Sequence, residues 1–85
     1  MARSQRQFAL DICRAVYEAS KHKRPPYWIS ASQIMKAVKQ EYENEFDAGV
    51  LYALERGWLQ INGVPVRSLC IKWEGIKQIE RRRAL

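Results

Sequence analysis

Histidine and cysteine are scarce in this chain, and their scarcity removes most metal and nucleophile chemistry at the outset. His22 is the single histidine, and Cys13 and Cys70 stand 57 positions apart, so no set of ligands at zinc spacing exists. Both cysteines sit among apolar neighbours. Buried free thiols in a reducing cytoplasm are the expectation, with a disulfide between them as the alternative. No apolar run approaches the roughly 20 residues of a membrane helix, and Met1-Ala2-Arg3 opens on no secretory pattern, so no membrane contact is expected. A Ser-His-Asp set, paired catalytic carboxylates and a glycine-rich phosphate loop are all missing. No enzyme, cofactor or small-molecule substrate is expected. With 4 glycines and 3 prolines, chain breakers are few, and their positions carry information.

What is present is enough for one domain over residues 1–85, its last residues frayed. At 47% apolar the chain can build a core, although so short a chain buries only about two-thirds of its unfolded surface. The net charge of +6 is segregated. Residues 1–40 carry eight Lys/Arg against Asp11 and Glu18; residues 41–55 carry Glu41, Glu43, Glu45, Asp47 and Glu55 with no base; residues 56–85 carry seven Lys/Arg against Glu74 and Glu80. Basic ends can track phosphates, an acidic middle repels them, and a merely solvated surface accounts for the total equally well.

Apolar residues at helical spacing (Phe8, Ile12, Ala15, Val16, Ala19, widened by Leu10, Cys13 and Tyr17) predict a helix from Ser4, its cap, to Ser20. It runs into Lys21-His22-Lys23-Arg24, which either complements the helix dipole or faces phosphate, and Pro25-Pro26 stops it. Tyr27-Trp28-Ile29 reads as an edge strand or an apolar entry to a second helix. Ser30 or Ser32 caps that helix; Ile34, Ala37 and Val38 face inward, and Ser32, Lys36, Lys39 and Gln40 outward. A third helix, about Glu45 to Arg56, takes Asn44 as its cap. No breaker separates it from the second, but a merged helix would lose the phase of its apolar stripe near Glu43. At about 100° per residue Phe46, Val50, Ala53 and Leu54 form one face, with Leu51 at its margin. Glu45, Ala48, Tyr52 and Glu55 lie opposite.

Gly57 is placed to end the third helix in the left-handed conformation. Trp58, Leu59 and Ile61 follow as a strand, Asn62-Gly63 turns the chain, and Val64-Pro65-Val66-Arg67 lengthens the loop into a protruding wing. Ser68 to Lys72 returns as a second strand, and a short helix opens near Glu74, anchored by Ile76 and Ile79.

This order, with Leu54-x-x-Gly57-Trp58-Leu59-Gln60-Ile61 at its centre and Glu74-Gly75 after the second strand, resembles the winged helix-turn-helix domains of small prokaryotic and phage regulators. The likeness covers most of residues 8–80, with Lys72 standing where the family has a capping threonine. It implies an α+β winged helix: a three-helix core, a two-stranded hairpin wing and a short C-terminal helix. In that family the third helix enters the major groove, the second touches the backbone, and the wing contacts the adjacent groove. By resemblance, Asn44, Glu45, Ala48, Tyr52 and Arg56 would face the bases, Ser32, Gln33, Lys36 and Lys39 the phosphates, and Arg67 the wing contact. Double-stranded DNA is the implied partner and transcription regulation the implied role.

The residues themselves qualify this. Guanine is read by Arg or Lys and adenine by Asn or Gln, yet the centre of the third helix offers Ala48 and Tyr52 between two glutamates. Contacts mainly to phosphate are therefore expected. The same small-plus-aromatic centre ringed by charge suits a protein interface, in a homodimer or an assembly. Trp28, Trp58, Trp73 and four tyrosines could also stack on RNA bases, or fill the core.

Overall fold

The computed structural model describes residues 4–23, 26–38, 43–63 and 66–83. The chain forms α1 (Gln5–Ala19), β1 (Trp28–Ser30), α2 (Ala31–Ala37), α3 (Glu43–Glu55), β2 (Leu59–Asn62), β3 (Ser68–Ile71) and α4 (Trp73–Arg83). It is a small α+β protein with four helices and one antiparallel sheet in the order β1-β3-β2. The sheet has three strands where a two-stranded hairpin was expected, because Trp28-Ile29-Ser30 pairs with Cys70-Leu69-Ser68. Of the two readings of Tyr27-Trp28-Ile29, an edge strand or an apolar entry to α2, the pairing establishes the edge strand.

α1 is central to the packing and touches α2, α3, α4 and β3. Its buried side, Phe8, Ile12, Cys13 and Val16, meets Phe46, Val50 and Ala53 of α3, Ile34 of α2, Leu59, Leu69 and Ile71 of the sheet, and Ile76 and Ile79 of α4. Each such large aliphatic or aromatic side chain removed from water stabilises the fold by about 1.5–3 kcal/mol. Ser4 caps α1 as expected, its hydroxyl accepting from the Gln7 N–H at 3.0 Å. The basic run lies past the last turn: Lys21 and His22 take positive φ, 57° and 59°, and their N–H groups donate to the Glu18 and Tyr17 carbonyls at 3.0 Å each. The His22 ring stacks on Tyr17 at 4.2 Å.

Of the two caps offered for α2, Ser30 takes the role, accepting from the Gln33 N–H at 3.3 Å. Two expectations need correction. Ala37 is exposed, and Ala31 is buried in its place. Asn44 is not the cap of α3, because the helix already includes Glu43. α4 begins at Trp73 without a capping threonine: the Lys72 carbonyl accepts the Ile76 N–H at 3.0 Å and closes the first turn. The Lys72 N–H donates at 2.9 Å to the Trp58 carbonyl, which ties α4 to the end of α3. Gly75 allows this approach, since a Cβ there would stand 2.5 Å from the Trp58 oxygen. Both cysteines are buried and free.

Candidate nucleic-acid interface

The start of α2 and the root of the β2–β3 hairpin are one structural unit. The Ala31 N–H donates to the Arg67 carbonyl at 2.8 Å, and the Arg67 N–H donates to the Asn62 carbonyl at 2.9 Å. Ser30 is paired with Ser68, and Ser68 with Asn62, across the end of the sheet. Arg67 is thus clamped by its backbone between α2 and β2 while its side chain is exposed. On α2, Ser32, Gln33 and Lys36 are all exposed, and their spacing of three and four residues puts them along one side. Lys36 also lies in the last turn of α2, where a cation complements the helix dipole whether or not it meets a ligand.

Tyr52 and Arg56 form a separate group. The Arg56 guanidinium lies 3.6 Å from the Tyr52 ring centroid, Tyr52 meets Trp58 at 6.1 Å, and the Arg6 guanidinium stands 5.4 Å from the Trp58 ring. This ladder of cations and rings joins α3, the turn after it and the start of α1. Tyr52 is half-buried by it, so it is not the largest exposed apolar group of α3. That group is Leu51, 52% exposed. At 100° per residue Leu51 falls about 140° from Phe46, and its angle alone could have placed it outside. Leu51, Ala48, Tyr52, Gln5 and Glu55 line a shallow groove of about 210 Å³, and Glu45 and Glu55 are exposed on the same helix.

The ten residues that the family resemblance turns towards DNA therefore divide. Ser32, Gln33 and Lys36 lie along α2 and Arg67 is tied to its start; Tyr52 and Arg56 stack on each other elsewhere; Ala48 lines the groove beside Leu51, Glu45 is exposed on α3, and Asn44 lies in its first turn. Lys39 is outside the described residues, as are residues 64–65 of the expected wing tip. Trp28 and Trp73, whose sequence context leaves base stacking and core packing both open, are exposed. Among the described residues no three His, Cys, Asp or Glu side chains gather as metal ligands would, and no helix is long and apolar enough to cross a membrane.

No family model, curated protein or solved structure matches this chain.

Proposed function

We propose that this chain is a winged helix that binds double-stranded DNA without catalysis, holding the phosphate backbone from α2 and the hairpin root. The observation that carries the reading is the 2.8 Å bond from the Ala31 N–H to the Arg67 carbonyl, which fixes the backbone of the exposed Arg67 at the start of the helix on which Ser32, Gln33 and Lys36 are exposed. Phosphate contacts from Lys, Arg, Ser and Gln fix register and orientation and carry little sequence information. α3 would then lie near the duplex without reading it closely, since Glu45 and Glu55 are exposed on it and Arg56 is engaged with Tyr52. The implied regulator is a weak or accessory one, with monomer affinity in the non-specific range of roughly 10⁻⁴ to 10⁻⁶ M at physiological salt. The two buried free thiols suit a reducing compartment such as the cytoplasm.

A second reading is favoured by Leu51. An exposed leucine beside Ala48 and Tyr52, with Glu55 at its border, fits the centre of a contact with a protein partner or a second copy of the chain.

Duplex titrations by fluorescence anisotropy separate the two. Lys36→Ala with Arg67→Ala should weaken binding to every duplex, and Leu51→Ser should leave it unchanged. The reverse, with duplex affinity intact in the Lys36/Arg67 variant and an oligomer or complex lost in Leu51→Ser, would establish the protein-contact reading instead.

A further inference from the structure

Four large apolar side chains stand exposed among the described residues, and three of them are aromatic: Tyr27 at 38%, Trp28 at 46% and Trp73 at 55%. Trp28 pairs with Cys70 and Cys70 with Gln60. Paired residues project to the same face, so the exposed Trp28 and Gln60 stand on either side of the buried Cys70 on the sheet face turned away from Ile29 and Leu69. Gln60, Trp73 and Pro26 line a groove of about 490 Å³. The whole surface is at the opposite end of β1 and β3 from Ser30, Ser68 and Arg67.

Charge selects the occupant. The three strands carry no charged residue. At the border, the Lys23 Nζ sits 4.9 Å above the Tyr27 ring, and Lys72 lines the groove. The carboxylate that lines the groove, Glu74, is held by the Lys77 Nζ at 3.3 Å. A second copy docking here face to face would set lysine against lysine. A nucleotide instead brings a π-face to each indole and a phosphate to each lysine, which is how proteins hold single strands without reading their sequence.

We infer that this face binds single-stranded nucleic acid, with bases stacked on Trp28 and Trp73 and the backbone held by Lys23 and Lys72. The surface is distinct from the duplex edge, and the inference does not rest on the duplex reading. Both indoles are about half exposed, so truncating them leaves the core intact, which circular dichroism of each variant verifies.

The test is the anisotropy of labelled oligothymidylate, oligouridylate and a duplex, titrated with the wild type, Trp28→Ala, Trp73→Ala, Trp73→Phe and the Lys36→Ala/Arg67→Ala pair. Each tryptophan-to-alanine change should weaken binding of the single strands about tenfold, the usual effect of losing one stacked base. Trp73→Phe keeps a ring and should restore most of the affinity, while duplex binding stays put in all three. Equal binding of the two oligomers supports stacking alone; preference for oligouridylate supports it with an added 2′-hydroxyl contact. Single-strand binding that survives in the Lys36/Arg67 variant while duplex binding fails supports a separate site. A wild type that binds neither oligomer, or alanine variants that bind them as well as the wild type, would overturn the inference. So would sedimentation showing a dimer that Trp73→Ala separates.

Discussion

Gly75 and Cys13 show how narrowly single positions are determined. The nearest neighbour of a Cβ at Gly75 is a backbone carbonyl, that of Trp58, which already accepts the Lys72 N–H at 2.9 Å. It cannot swing aside as a side chain can. Gly75→Ala should therefore destabilise the protein by at least the roughly 1–3 kcal/mol usual for overpacking, seen as a lowered midpoint in thermal melts. Burial pushes the Cys13 thiol up to about 12 from an ordinary 9.0. Its pKa is raised in the folded chain, so the unfolded chain loses this proton first as pH increases. The stability linked to Cys13 is fully present below 9.0 and is lost as pH rises towards about 12. Urea titrations across that window should show the decline, and Cys13→Ala should flatten it. In native protein both thiols should resist a thiol reagent until denaturant is added.

At the scale of elements, helix ends separate what composition reveals from what it hides. α3 ends in a Schellman arrangement: Gly57 has φ 75°, its N–H donates to Leu54 at 3.0 Å, and the Trp58 N–H donates to Ala53 at 2.9 Å. Glycine is the expected residue there, so that end was legible. Nothing crowds Gly57, so Gly57→Val should cost only the left-handed strain of about 1–2 kcal/mol. α1 ends by the same pattern of bonds with Lys21 in the glycine position, supported by the Ser20 hydroxyl donating to the Tyr17 carbonyl at 2.8 Å. Lysine gives no such signal, and the run from Lys21 to Arg24 was read as charge rather than as conformation. Lys21→Gly should raise stability by up to about 1 kcal/mol, a midpoint increase of about 4–8 °C per kcal/mol in a domain this size. An unchanged or lower midpoint would mean that the left-handed turn is not strained. The core stripes of α1 and α3 were legible because apolar spacing reports directly on burial. For β1 the edge strand was only one of two readings, and its register was hidden because it depends on β3, far away in the chain.

For the whole molecule, segregated charge and exposed apolar groups divide the surface. Glu55 borders Leu51 on α3; Arg67 is tied at the start of α2 and Lys36 stands in its last turn; Lys72 lines the groove beside Trp73 and Lys23 sits over Tyr27. Polar character outside the apolar stripe marked Ser32 and Lys36, and the family resemblance added Gln33 and Arg67. The sequence could not show that Arg67 is tied by its carbonyl to Ala31, since that bond joins segments far apart in the chain. Nor could it show that Arg56 stacks on Tyr52.

If phosphate contact dominates, the wild type should show a steep log–log dependence of duplex affinity on salt. Neutralising Lys36 and Arg67 should then flatten the slope by roughly two units at about 0.9 per contact. The most direct measurement is a duplex titration of ¹⁵N-labelled protein followed by amide chemical shifts. Binding through α2 and the hairpin root predicts that the amides of Ser32, Gln33, Lys36 and Arg67 move together at low salt and return as salt is raised. Shifts concentrated instead at Ala48, Leu51 and Glu55, with α2 silent, would contradict it and place the duplex on α3.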